Sequence, residues 1–131
     1  MGNSILELSN KKLLVAPSIL AADFAKLEDD IKGVERAGAD VIHVDVMDGH
    51  FVPNISIGPP VVKSIRRSTS LPFDVHLMIT DPLKYIVPFV DAGADNITFH
   101  LEANGDTNET ISEIRKAGCS VGICLKPKTS A

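Results

Sequence analysis

The chain has 131 residues, of which 44% are hydrophobic and 23% charged, with one Tyr, five Phe and no Trp. That is ordinary usage for a soluble globular protein and enough length for one core, so a single domain over residues 1–131 is expected. A formal net charge of −4 disfavours a nucleic-acid partner, because Lys and Arg are too few to neutralise a phosphate backbone. No apolar run approaches the roughly 20 residues of a membrane helix, and the start MGNSILELSNKK lacks a signal-peptide core. No membrane partner and a cytoplasmic location are therefore expected.

Five short β-branched runs alternate with helical patterns: Leu13 to Pro17, Val41 to Val46, Phe73 to Met78, Asn96 to His100 and Val121 to Leu125. That alternation is the βαβ signature of a parallel sheet. Between the first two runs, Phe24, Leu27, Ile31 and Val34 recur at helical spacing opposite Lys26, Asp29, Asp30 and Lys32, which predicts a surface helix packed on the sheet. The second helix opens at Pro59-Pro60, where a missing N–H is harmless, and turns Val61, Val62 and Ile65 inward. Arg66-Arg67 at its end is read as a solvated helix face.

The third helix begins with Asp81 as N-cap and Pro82 at its first position. Pro88 predicts a kink or a restart there. The fourth opens with Asp106 and Glu109 in capping-box spacing and buries Ile111, Ile114 and Ala117. Ala37-Gly38-Ala39-Asp40 recurs as Ala92-Gly93-Ala94-Asp95, and Ala117-Gly118 repeats its first half. Each Gly stands where a helix ends before a strand, so one αβ turn is used repeatedly, with glycine in the left-handed cap. Repeated βα units mean a barrel or an open doubly wound sheet, and no GxGxxG follows the first run, which disfavours dinucleotide binding. Cys119 and Cys124, with four residues between them, match neither a redox nor a zinc-ribbon spacing and are read as reduced core thiols.

In the second run, V-I-H-V-D-V-M-D-G, period-2 alternation puts His43, Asp45 and Met47 on one face and Ile42, Val44 and Val46 on the other. The third run repeats this with His76 and Met78 in D-V-H-L-M-I. In a barrel, inward polar groups near strand C-termini lie at the face where active sites are kept. Two imidazoles and a carboxylate from adjacent parallel strands suit a divalent ion of borderline hardness: zinc, iron(II), manganese or cobalt. Spacing alone leaves a second reading open, in which His43 and His76 are hydrogen-bonded core histidines and Asp45 caps a loop. Ser18 after Pro17 is open between a substrate contact and a turn cap, and Met47 and Met78 between a pocket wall and core filling. His50 is read as packing the long loop after the second run. No motif makes His100, Glu102 or Asp48 a ligand.

The stretches APSILAADFAKL (Ala16 to Leu27), HVDVMDGHFVPNISIGPPVV (His43 to Val62), DVHLMI (Asp74 to Ile79) and AGADNITFHLEA (Ala92 to Ala103) closely resemble the ribulose-phosphate 3-epimerase family. The resemblance runs from about Leu13 to the end. It implies a TIM (β/α)8 barrel, of which this chain supplies about five strands. It also implies interconversion of D-ribulose 5-phosphate and D-xylulose 5-phosphate by inversion at C3 through a metal-stabilised enediolate. Carried over by motif, His43, Asp45 and His76 look like metal ligands, and Asp45 also looks like one of two acid/base carboxylates. Ser18, His76, Met47 and Met78 look like substrate contacts. The expected partners are a small sugar phosphate and further copies of the same chain.

A TIM barrel typically needs about 250 residues, so the chain is expected to be part of a longer polypeptide, with the second acid/base aspartate and the phosphate cradle on later strands. The 131 residues alone are then expected to be inactive. Two alternatives are an epimerase of the same family acting on a hexulose 6-phosphate, and a non-catalytic half-barrel assembly module that binds no metal.

Overall fold

In the computed structural model, which describes residues 13–131 together with Ile5, the alternating runs fold into one parallel sheet. Its strands are β1 (Ile42–Met47), β2 (Phe73–Met78), β3 (Asn96–His100) and β4 (Ser120–Cys124). They lie in the order β1-β2-β3-β4, each pair parallel. Helix α1 (Leu27–Arg36) precedes β1, and between the strands run α2 (Pro59–Ile65), α3 (Ile86–Ala92) and α4 (Thr107–Lys116). None of the described helices is long and apolar enough to cross a membrane.

The core lies between the sheet and its helices. Val44, Val46, Val75, Leu77, Ile97 and Phe99 pack from the strands against Ile31, Val62, Ile65, Ile86, Phe89 and Ile114 from the helices. Each such fully buried side chain contributes about 1.5–3 kcal/mol. On β1 and β2 buried and half-buried residues alternate strictly, because successive side chains leave a strand on opposite faces. His43, Asp45 and Met47 therefore share the half-open face, away from the helices.

The first run is not a strand of this sheet. Val15 O accepts from the N–H groups of Asp40 (2.9 Å) and Val41 (3.3 Å), and Pro17 O accepts from His43 N–H (2.9 Å), while Ser18 and His43 form an isolated parallel bridge. The segment thus runs beside β1, but Val15 N–H donates to the Asp40 side chain and Pro17 has no N–H to give. Leu13 and Val15 are left exposed. Four strands, not five, are formed among the described residues.

Helix ends follow the capping signals with one exception. Asp106 accepts from Glu109 N–H at 2.8 Å, as its spacing predicts. Asp81 stands at the cap position of a 3₁₀ turn (Pro82–Tyr85) without a side-chain cap bond and instead pairs with Lys84 at 3.0 Å. The helix restarts at Ile86, so Pro88 falls in the first turn of α3, where its missing N–H is one of the unpaired donors anyway. Phe24 lies ahead of α1 in a 3₁₀ turn (Phe24–Lys26) and is exposed, out of phase with the buried stripe.

The basic pair after α2 divides. Arg67 is exposed, but Arg66 is half-buried and not part of a solvated face. Its guanidinium donates to Gly93 O (3.3 Å), Asp95 Oδ2 (3.1 Å), Thr69 O (2.8 Å) and Leu71 O (2.6 Å), and it lies 3.7 Å above the Phe73 ring. Gly93 has φ of 107° as the left-handed cap of α3, and a Cβ there would come within 2.5 Å of Arg66 Cδ. The second copy of the αβ turn is thus also a docking site for this arginine.

Candidate metal centre

Parallel register builds the site. On neighbouring strands His43 pairs with Asp74, Asp45 with His76 and Met47 with Met78, so three rows of side chains cross the open face in order. Ser18, brought alongside by its bridge to His43, completes the edge.

Asp45 Oδ1 lies 3.2 Å from both His43 Nε2 and His76 Nδ1. These three atoms are mutually within 4.8 Å, a grouping able to hold a metal ion, and two imidazole nitrogens with one carboxylate oxygen make a donor set of borderline hardness. The other carboxylate oxygen, Oδ2, accepts from the Ser18 hydroxyl at 2.5 Å. Ser18 Oγ also accepts from Leu20 N–H at 3.2 Å, so this side chain caps a turn and meets Asp45 at once. Ser56 donates to Asp45 O at 2.7 Å and accepts from Met47 N–H at 3.0 Å, which fixes the backbone of β1 under the cluster.

Behind His43 stands Asp74. His43 Nδ1 is 2.8 Å from Asp74 Oδ2, and Asn96 Nδ2 donates to Asp74 Oδ1 at 2.7 Å and to Thr98 Oγ1 at 3.0 Å. Burial would raise the Asp74 pKa, but the bonds from His43 and Asn96 outweigh it and hold the carboxyl below its usual range. The same bond from Asp74 leads the causes that raise the His43 pKa, against burial of the ring. With Nδ1 committed to Asp74, His43 faces the cluster through Nε2. A carboxylate that fixes a ligand's tautomer from behind is the usual support of a metal-binding histidine.

On the other side, His76 Nε2 is 2.9 Å from His100 Nε2, and the two rings stack with centroids 5.0 Å apart. Burial, then the neighbouring His76, lower the His100 pKa. Phe51, from the loop after β1, packs against His100 at 5.1 Å, and Lys126 Nζ lies 3.7 Å over the Phe51 ring. The Thr129 hydroxyl, with the Lys126 N–H, outweighs burial and lowers the Glu102 pKa to about 2. His76, His100 and Cys124 form a second grouping of possible ligand atoms. Cys124 is half-buried on the open side, unlike Cys119, which is buried and bonded to Ala94 O at 3.1 Å.

The residues singled out by alternation, His43, Asp45, Met47, His76 and Met78, all come together, and Ser18 joins them. Asp48 ties two loops instead: it accepts from His50 and Phe51 N–H and from both the N–H and hydroxyl of Thr80, at 2.8–3.0 Å. His50 is exposed and bonds only within that loop among the contacts described, at Asp48. Period-2 counting also carries Asp74 onto the His76 face and Asn96 onto the Thr98 face, a signal sufficient to find both. Nothing in local spacing points to Phe51 or Lys126, which reach the site through long-range packing.

A parallel βα sheet with its helices on one side and a His-Asp-His cluster on the other is part of a TIM (β/α)8 barrel. The fold agrees with solved structures of low identity: a mandelate oxidase (TM-score 0.63, 20% identical, covering 96% of this chain and 46% of that one) and DHPS from Yersinia pestis (TM-score 0.63, 15% identical, covering 90% and 46%). The chain belongs to the ribulose-phosphate 3 epimerase family, which it matches over residues 14–131. It is 56% identical over 115 residues to a ribulose-phosphate 3-epimerase of Bacillus subtilis (88% of this chain, 53% of the relative). A ribulose-phosphate 3-epimerase of Synechocystis is 52% identical over 122 residues (92% and 53%). The chain thus spans about half the length of the curated relatives it matches.

Proposed function

We propose that the protein carrying this chain inverts C3 of a ketopentose phosphate, interconverting D-ribulose 5-phosphate and D-xylulose 5-phosphate. The observation that carries this reading is the convergence of His43 Nε2, Asp45 Oδ1 and His76 Nδ1 on one point of the open face, in a chain of this family.

These three atoms would hold the divalent ion: zinc, iron(II), manganese or cobalt. Such an ion supplies Lewis-acid stabilisation of the negative charge that develops on the C2 and C3 oxygens as the C3 proton leaves. Asp45 moves that proton on one face of C3. Its Oδ2 is oriented by Ser18, which on this reading also contacts a substrate hydroxyl. Met47 and Met78, paired across the strands, offer polarizable surface that does not hydrogen-bond and so keeps water from the enediolate. Inversion also needs a proton donor on the opposite face, which the family resemblance assigns to an aspartate on a later strand. On this reading the 131 residues by themselves do not turn over ribulose 5-phosphate, and measurable turnover by them would overturn it.

The direct test is metal content, by elemental analysis, of the wild type and of His43→Ala, Asp45→Asn and His76→Ala. Loss of stoichiometry in each supports the ligand set, and unchanged stoichiometry in all three refutes it. Interconversion is followed with ribulose 5-phosphate and with a hexulose 6-phosphate; a higher kcat/KM on the six-carbon substrate would reassign the reaction within the family.

A further inference from the structure

Beyond the ligand set lies a buried pair that the proposed reaction does not use. His100 Nδ1 faces Glu102 Oε2 at 3.6 Å, and both atoms are buried without a hydrogen-bond partner. Buried polar atoms left unpaired cost about 1–3 kcal/mol each, so the pair needs a reason. Glu102 is not free to turn away, since Lys126 N–H holds its Oε1 at 2.7 Å.

Counting protons along the chain of contacts supplies the reason. Only one proton can lie between His76 Nε2 and His100 Nε2, 2.9 Å apart. If His76 carries its hydrogen on Nδ1, toward Asp45, then its Nε2 must accept and His100 Nε2–H must donate. A neutral His100 then has a bare lone pair on Nδ1, facing a carboxylate oxygen: two acceptors opposed, which leaves both atoms unpaired. If His76 instead carries its hydrogen on Nε2, every position changes sense. His76 Nε2–H donates to His100 Nε2, His100 Nδ1–H donates to Glu102 Oε2 after a closure of about 0.6–0.9 Å to ordinary bonding distance, and His76 Nδ1 presents a lone pair to the cluster.

We propose that His100 and Glu102 are positioning residues that lock His76 in the Nε2–H tautomer and thereby aim Nδ1 as a ligand. The inference rests on the ligand reading above and extends it by a support two residues deep. His43 is held from behind by one carboxylate, Asp74, and His76 by a carboxylate acting through a second imidazole. Phe51 on the far side of His100 keeps that ring from swinging out of line.

The neighbouring Cys124 offers a rival account, in which a second, thiophilic cation bridges His76 Nε2, His100 Nε2 and Cys124 Sγ. The 2.9 Å between the two nitrogens favours a hydrogen bond over shared ligation, and Cys124→Ser below separates the two. Two nitrogens on a tetrahedral zinc, each roughly 2.0–2.1 Å from the ion, stand about 3.3–3.4 Å apart, whereas 2.9 Å is an ordinary hydrogen bond.

The tautomer is measurable without any metal, by 15N chemical shifts of the His76 ring in the chelator-treated protein at one pH where both rings are neutral. Wild type is expected to show the proton on Nε2, and Glu102→Ala to move it toward Nδ1. Glu102→Gln, which keeps an acceptor for His100 Nδ1–H, is expected to restore the wild-type pattern, a rescue that a merely structural role would not give. Affinity for cobalt or zinc should fall 10–100-fold in Glu102→Ala and much less in Glu102→Gln. A wild-type His76 protonated on Nδ1, or shifts unchanged in Glu102→Ala, overturns the inference, as does metal stoichiometry that drops in Cys124→Ser. A wild type with the expected tautomer that binds no metal refutes the ligand reading and leaves the tautomer lock standing, so the two failures are distinct.

Discussion

Replacing Asp74 tests how far the cluster depends on what stands behind it. In Asp74→Ala, His43 Nδ1 loses its acceptor at 2.8 Å, so the ring is free to carry its hydrogen on either nitrogen, including Nε2, where it points at Asp45. Losing such a support typically weakens metal binding 10–100-fold, or about 1.4–2.8 kcal/mol. The two side chains are 24% and 23% exposed, so water replaces part of the lost bond and the effect belongs near the tenfold end. Asp74→Asn is expected to do as much damage with less loss of volume. One amide oxygen cannot accept from both His43 and Asn96, and whichever it serves, an N–H₂ faces the other donor. Competition for cobalt or zinc against a chromophoric chelator, at fixed pH, reads the affinity. If both variants bind within twofold of wild type, the tautomer of His43 does not matter and the reasoning for Asp74 fails.

Arg66→Ala should cost about 3 kcal/mol in urea unfolding, since it strips a partly buried ion pair of its cation and leaves several carbonyls unpaired; a loss under about 1 kcal/mol would restore the solvated-face reading. Gly122→Ala should destabilise by about 1–3 kcal/mol, because a Cβ there meets Thr98 Oγ1 at 2.3 Å, and a neutral result by thermal melt would show that Thr98 yields. Burial raises the pKa of Asp48, but the N–H groups of His50, Thr80 and Phe51 outweigh it and lower it well below the usual value. That stability is present above about pH 4 and is lost as pH falls toward the folded value, so Asp48→Asn should flatten the acid limb of the stability profile; an unaltered limb would show that Asp48 does not contribute. Burial, then Asp95, pushes the Cys119 thiol up to about 11, so iodoacetamide near pH 8 should label Cys124 first, and equal rates measured by peptide mass mapping would contradict the burial of Cys119.

The faces of the strands and the order of the elements were legible because both follow from periodicity. His43, Asp45 and Met47 alternate with Ile42, Val44 and Val46, and a parallel neighbour repeating the pattern can place His76 beside them. Arg66 was misread because its neighbours in sequence describe an exposed helix end, whereas its partners, Gly93 and Asp95, lie a whole βα unit away. The first run was misread as a strand because β-propensity reports the side chains of Leu13 and Val15, while strand status depends on donors that Pro17 lacks and Val15 gives to Asp40. His100 and Glu102 share the open face by alternation, yet their importance rests on which nitrogen bears a proton, and no residue pattern records that.

The register of β1 on β2 also has a consequence for how the chain reaches its fold. A slip of one residue would turn one strand's polar set into the core, and it is excluded by burial alone. A slip of two keeps every apolar residue inward and is therefore the dangerous error, but it would set Asp45 opposite Asp74 or Met78 in place of His76. Among these registers the native ladder alone sets Asp45 directly opposite an imidazole, so a cation held by that pair favours the correct pairing over its nearest competitor. The ligand set would then act as a proofreader of strand alignment before it acts on any sugar.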